Sequence, residues 1–370
     1  EGTVIDDAGN SFIATLQYVV QEPESSKARL LQGRSDGVGV DLVIVGDGFT
    51  ASQQQNLRQV AQNFMQQFFD ADKIGIGSHR ALWNLWVVDS VSASSVIGSG
   101  NTLFNSFFNC QNIARLLCVG SDSAVISYVA ENVPQYDPIL VAVNSTTYGG
   151  AGGRVATFSL SDSAHQVATH ELGHSFAGLA DEYSLSDGQG LPNENNNINI
   201  TVNTNPRTVK WSHWIDNINS IAGFDRNQNK PMEVGYFLGG AYQESGVWRP
   251  TPNSLMRELG QPLGAVNSEE WALTAWKYSE NINTARQFKL SGDAVINVYH
   301  LPTIAGSNLQ EIHWTVNGNP IDSASNKNFL VTFGASHAED VVVVSVKDGT
   351  GLIRRNPQKI AEHSQTLNAL

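Results

Sequence analysis

The stretch that most constrains this chain is Ala168-Thr169-His170-Glu171-Leu172-Gly173-His174-Ser175-Phe176-Ala177-Gly178-Leu179-Ala180-Asp181-Glu182-Tyr183. It contains HExxH. Residues four apart on a helix lie about 40° apart on one face. His170 and His174 therefore offer two imidazoles to one ion. Glu171, turned about 100° away, stays within reach of a water at that ion. A catalytic zinc takes three protein ligands and keeps one position open, so the rest of the sequence must supply a third. The plain alternative is two surface histidines on an ordinary helix. Against it stands the continuation. Gly173 and Ala177 are small and permit close approach, Gly178 offers a helix stop, and a carboxylate, Asp181, follows three residues later.

Bulk properties narrow the partners. With 370 residues the chain accommodates two domains, or one large and one small. A net charge of −13 argues against nucleic acid or an anionic membrane surface. No apolar run is long enough to span a bilayer. Glu1-Gly2-Thr3 reads as a processed start, giving an expected location that is secreted, periplasmic or at the cell surface. Cys110 and Cys118 are close enough to close a small loop as a disulfide, which fits an exported protein; two reduced thiols are the alternative.

Residues 1–37 form an N-terminal extension with a strand-like run, Phe12 to Val20, read as an added strand or a propeptide remnant. Val40 to Val45 is a β-branched run expected as a buried strand. Thr50 or Ser52 caps the next helix, whose core face carries Leu57, Val60, Ala61, Phe64, Met65, Phe68 and Phe69. Further strands are expected at Leu85 to Val88 and Pro138 to Val143, with a helix from Ser121 to Val133 between them. Tyr148 to Gly153 is read as a flexible loop. It is not a phosphate cradle, because it has no G-K-S/T and no following helix. Arg154 to Leu160 is then an edge strand beside which an extended peptide can add, and Ser161 to Ser163 cap the HExxH helix. The Asn-rich stretch after Tyr183 reads as a surface loop. Asp225, Asn227 and Asn229 alternate like calcium ligands without a downstream Glu, so a turn is the stronger reading. Trp211, Trp214 and Trp248 are packing or cleft-wall residues. Ser268 to Glu280 is a helix bearing Trp271, Leu273 and Trp276. From about Gln287 short strands alternate with polar turns, among them a hairpin at Val316-Asn317-Gly318-Asn319, which suggests a small β-sandwich over 286–370.

Ser254-Leu255-Met256 after an HExxH helix resembles the Met-turn of the metzincins, in which the methionine lies as an apolar base beneath the metal. With Val40 to Gly48, His170 to Tyr183, Gly235 to Pro250 and Ser254 to Arg257 together, the chain resembles the IgA-peptidase family of metzincin-like zinc endopeptidases over roughly residues 38–285. The resemblance implies an α/β (α+β) catalytic domain, 38–285, with a mixed twisted sheet and an active-site helix, followed by the all-β domain. It implies zinc as cofactor and a protein or peptide substrate, glycoproteins included. The family takes its name from members that cut immunoglobulin A, and that substrate is not carried over. One departure matters. The metzincin pattern HExxHxxGxxH puts its glycine one residue earlier, and the eleventh position here is Ala180, which cannot bind metal. Asp181 keeps the Gly-x-x-Asp spacing and is the expected third ligand; Glu182 is its rival, with His213 or a remote carboxylate behind.

The expected chemistry is hydrolysis by an activated water, with Glu171 as general base and Met256 and Tyr183 in support. Tyr183, Tyr236, Tyr242 and Arg249 are open candidates for steadying the oxyanion. Two other classes remain: a secreted binding or adhesion protein with a structural or degenerate zinc site, and a zinc amidase acting on non-protein amides.

Overall fold

The computed structural model describes residues 2–5, 11–14, 27–33, 39–73, 75–186, 190–215, 233–279, 285–289, 295–300, 310–322, 325, 329–334, 341–355 and 361–366. The calcium-like residues Asp225, Asn227 and Asn229 lie outside these.

Strands β1 (Gly2–Ile5) and β2 (Ser11–Ala14) pair antiparallel; the remainder of the run to Val20 is outside the described residues. β3 (Ala28–Gln32) adds antiparallel to the main sheet, a strand its polar surroundings hid. β4 (Val40–Asp47) leads into a 3-10 turn and α1 (Gln54–Ala71). The Thr50 N–H donates to Gln53 Oε1 at 3.0 Å, one half of a capping box. β5 (Trp83–Val88) follows. The short pair β6 (Phe107–Phe108) and β7 (Leu117–Cys118) frames a loop closed by the Cys110–Cys118 disulfide. Then come α2 (Asp122–Asn132), β8 (Ile139–Val143), β9 (Gly150–Ala151), β10 (Ala156–Ser159) and α3 (Ala164–Ser175).

The six-stranded sheet has the order β3-β5-β4-β8-β10-β9. Its four inner strands are parallel, and β3 and β9 run antiparallel at the edges. A parallel strand covered on both faces must be apolar throughout, and β4 is buried along its whole length. Leu42 and Ile44 join the core shared with α1, α3 and α4 (Ala265–Ser279). Val43 and Val45 face the side of α2, with Val125 and Val129. Leu57, Ala61, Phe64, Phe68 and Phe69 of α1 are all buried there, as their spacing predicts.

One expectation fails. The segment Arg154 to Leu160 is not an edge strand, because β10 lies between β8 and β9. The edge is instead β9, part of the glycine run read as a loose loop. Without side chains that run can lie flat against both β10 and α3. Ser163 is the N-cap of α3 but makes no side-chain cap bond; its carbonyl accepts from Val167 N at 3.0 Å.

After α3 the chain forms a hairpin, β11 (Phe237–Gly240) and β12 (Gln243–Arg249), and then α4. Trp211 and Trp214 are buried packing residues. The C-terminal part carries the three-stranded sheet of β13 (Ala285–Lys289), β14 (Val295–His300) and β17 (Phe329–Gly334). A four-stranded sheet joins β15 (Gln310–Val316), β16 (Asn319–Pro320), β18 (Val341–Asp348) and β19 (Ala361–Thr366). Asn317 and Gly318 make the β15–β16 turn with φ of 51° and 78°, the twist that Asn-Gly hairpins favour. Ile312, Trp314, Leu352 and Ile353 enter the main core. Two buried carboxylates latch this part down: Asp348 accepts from His79 at 2.7 Å and Trp276 at 2.9 Å, and Glu269 accepts from the backbone N–H groups of Arg354 and Arg355 at 2.6 Å. No described helix is long and apolar enough to cross a membrane.

Candidate metal centre

Helix α3 brings His170 and His174 onto one face, their ring centroids 4.8 Å apart. Gly178, at φ +62°, ends the helix, and the Leu179 N–H returns to Gly173 O at 2.9 Å. The next residue is stapled: Asn199 accepts from Ala180 N and donates to Ala180 O, both at 2.9 Å. This clamp presents Asp181, not Ala180, to the histidines. Asp181 Oδ1 lies 3.0 Å from His170 Nε2 and 3.3 Å from His174 Nε2, and the two Nε2 atoms are 3.1 Å apart. These three residues form a group whose ligand atoms all lie within 4.8 Å of one another, as a metal site requires.

The second nitrogen of each imidazole fixes its tautomer. His170 Nδ1 donates to Leu255 O at 3.0 Å and His174 Nδ1 to Leu179 O at 2.8 Å. That leaves both Nε2 lone pairs aimed at Asp181. Two lone pairs and a carboxylate so close demand a positive charge among them, either a proton or a metal ion. Ligands at about 2.0–2.1 Å from a tetrahedral ion stand about 3.3 Å apart, so the observed separations fit a metal. The electrostatics show the same demand for positive charge. Burial opposes charge on His174, but the hydrogen bond and charge of Asp181, with the charge of Glu171, push its imidazole up to about 9. Burial works against the Asp181 carboxylate too; the two imidazoles outweigh it and hold the group far below the usual carboxylate range.

Glu171 is half-buried beside this group. Burial pushes its carboxyl up, against the pull of His170 and His174, and among the described residues no donor is bound to it. The glycine run explains itself here. A Cβ on Gly152 would stand 2.8 Å from His174 Cβ and 3.2 Å from Glu171 Oε2; one on Gly150 would stand 2.6 Å from Val167 Cγ1. Any side chain there would displace the HExxH face.

Met256 is fully buried beneath the helix, where a Cβ on Gly173 would meet its Sδ at 2.6 Å. Its turn also holds His170 through Leu255 O. Glu182, the rival third ligand, is fully buried away from the histidines. It accepts from Ser254 Oγ at 2.7 Å, Asn267 Nδ2 at 2.8 Å and Asn199 Nδ2 at 3.0 Å, and its N–H donates to Met256 O at 2.8 Å. His213 is also elsewhere, 2.7 Å from Glu269 Oε2.

Of the four oxyanion candidates, two are engaged by other partners. Tyr236 is buried with its hydroxyl on Asn203 O, and the two terminal nitrogens of Arg249 donate to the carbonyls of Leu238, Gly239 and Pro252. Tyr242 stands at the tip of the β11–β12 hairpin, where both it and Ala241 have positive φ, 67° and 47°. Its hydroxyl donates to Asp181 Oδ2 at 2.5 Å, and burial and that carboxylate hold it well above the usual phenol range. Tyr183 packs edge-on to Tyr242 at 5.3 Å and accepts from Arg115 Nη2 at 3.0 Å. Sequence reasoning missed Arg115, Asn199 and the direct role of the glycine run. Only the last left a visible signal, as five glycines or alanines in succession.

These features define a metallopeptidase-like site: a His-His-Asp group, an adjacent free carboxylate and a buried methionine turn. The family model described as IgA Peptidase M64 matches residues 30–225, just over half of the chain, and the chain belongs to that family. The match includes the whole His170–Tyr183 stretch and ends before the Met256 turn. Membership makes the chain a peptidase of a metal-dependent class, with protein as substrate. No curated protein matches it.

Proposed function

We propose that the chain is a secreted zinc endopeptidase with a metzincin-like centre in which His170, His174 and Asp181 hold the ion and Glu171 is the general base. The observation that carries this reading is the pair of imidazoles whose Nδ1 atoms are tied to backbone carbonyls while both Nε2 atoms converge on Asp181 Oδ1. A zinc ion there would lower the pKa of its water towards about 7 and polarise the scissile carbonyl. Glu171, with no donor bound to its carboxylate among the described residues, takes the proton of the attacking water and returns it to the leaving amine. Tyr183 and Tyr242 are the hydroxyls beside Asp181 available to meet developing charge on the carbonyl oxygen. Met256, packed against Gly173, gives the ligand helix a floor. The Cys110–Cys118 disulfide favours an oxidising compartment.

The test is digestion of casein by zinc-loaded protein, alongside metal analysis, with and without chelator. Glu171→Ala is expected to retain stoichiometric zinc and lose turnover by at least about 100-fold. Wild-type turnover by that variant would sink the mechanism. Zinc bound without proteolysis of any substrate would instead favour a binding protein.

A further inference from the structure

Two structures flank the ligand group: the glycine edge Gly149–Gly153 and the segment Asp181–Tyr183. Arg115 reaches both. It sits on the loop closed by Cys110 and Cys118. Its carbonyl accepts from Gly150 N at 3.3 Å, and Leu116 bridges Gly150 in parallel register. Its side chain crosses to the other flank, where Nη2 donates to the Tyr183 hydroxyl at 3.0 Å and the guanidinium lies 5.6 Å from the Tyr183 ring centroid. The outer side of the edge strand is therefore taken at Gly150, and a guanidinium closes that end of the approach to the metal group.

This cation is available for a ligand. Tyr183 uses one of its five N–H donors, and Arg115 forms no ion pair among the described residues. Arg115 is exposed, and its charge is felt at Glu171. Gly150 is held by the Arg115 backbone carbonyl, not its side chain, and among the described residues the side chain's one hydrogen bond is to Tyr183. A chain with net charge −13 that keeps a positive fork beside its metal ligands has a use for it other than solubility.

We propose that Arg115 is a specificity-determining residue that binds a carboxylate of the peptide substrate at the Gly150 end of the site. This rests on reading the site as a peptidase. The planar fork matches a carboxylate in bidentate fashion, and Tyr183 pre-orients it. The carboxylate has two sources, an Asp or Glu side chain of the substrate or its free C-terminus. A side chain makes Arg115 a subsite of an endopeptidase. A terminus makes it the stop of an enzyme that trims from the C-terminal end.

The experiment separates these and does not depend on turnover. Zinc-loaded Glu171→Ala protein is titrated with fluorescein-labelled decapeptides. One set is uncharged with an amidated C-terminus, one carries a single Glu at each position in turn, and one is uncharged with a free C-terminus. At low salt, one of the two acidic sets is expected to bind about tenfold tighter than the uncharged amide, with the preference shrinking as salt rises. Arg115→Gln removes the preference while zinc content and melting temperature hold. Arg115→Lys keeps a part of it, because a point charge remains without the fork. Equal binding of all three sets, or a preference that survives Arg115→Gln, overturns the proposal. The peptides that bind are then offered to protein with Glu171 intact. Binding with the stated preference but no cleavage supports Arg115 and removes the peptidase reading alone.

Discussion

Gly173 lies between the two histidines on α3, and the fully buried Met256 Sδ stands 2.6 Å from where its Cβ would be. Gly173→Ala therefore sets two effects against each other. In a helix interior, alanine is favoured over glycine by about 1 kcal/mol. Forcing a methyl into a filled core costs about 1–3 kcal/mol. Met256 is flexible, but it is closed off from solvent and must push on its neighbours. The net expectation is a loss of up to about 2 kcal/mol, a fall of only a few degrees in a chain of this size. Metal affinity should suffer more. The displaced turn also carries Leu255 O, which orients His170, and such outer hydrogen bonds are typically worth about 10–100-fold in affinity. Melting curves on metal-loaded and chelated protein, with zinc affinity from competition against a chromophoric chelator, measure both. Met256→Ala alone opens a cavity, yet combined with Gly173→Ala it should cost less than the sum, with a coupling on the order of 1 kcal/mol or more. If Gly173→Ala melts higher than wild type and keeps its zinc affinity, the methionine is not a floor for the ligand helix and the reasoning fails.

Glu182→Gln replaces an acceptor of three side-chain donors with a group that must turn an N–H towards one of them; a loss of about 3 kcal/mol is expected in the denaturant midpoint. The latch carboxylates predict acid sensitivity. The imidazole of His79 holds Asp348, and that of His213 holds Glu269, below ordinary values of 3.8 and 4.5, although burial works the other way. A folded pKa below the unfolded one stabilises above the unfolded value and is lost as pH falls through the folded value. Melting temperature should therefore drop steeply below about pH 4.5, and His79→Asn should flatten the Asp348 share; an unchanged acid slope in that variant counts against the latch. Replacing both cysteines by serine opens the loop between Cys110 and Cys118 and should cost about 2–3 kcal/mol by loop-closure entropy, read as a lower denaturant midpoint unaffected by reductant.

Much of the scaffold was legible because its patterns are local. The β-branched run Val40 to Val45, the three-and-four spacing along α1 and the Asn317-Gly318 turn each follow from one element's own chemistry. The histidine pair was legible for the same reason, since four residues on a helix need no tertiary information. What was hidden depends on partners far along the chain. Ala28–Gln32 is a strand only because β5 is there to pair with it. The glycine run looked mobile because nothing local shows the histidine helix pressed against it. Which of Asp181 and Glu182 faces the histidines depends on Asn199, Ser254 and Asn267, none of which spacing could connect to the dipeptide.

That dipeptide also explains how the residue facing the histidines is shifted by one position without loosening the group. Adjacent side chains along an extended backbone point to opposite sides. Asp181 faces the two imidazoles, whose partial positive charge offsets its burial, while Glu182 faces three neutral donors from the Asn-rich segment, the Met256 turn and α4. The constraints close on themselves. Asp181 meets His170, His170 donates to Leu255 O, and the next residue, Met256, accepts from the Glu182 N–H. Ala241 N donates to Asp181 O at 2.8 Å, which ties the same backbone to the tip that carries Tyr242. A carboxylate that meets the imidazoles from position 181 rather than 180 therefore stays in register only if the turn beneath it is held by position 182, so the carboxylate that faces away from the histidines fixes the geometry of the one that faces them.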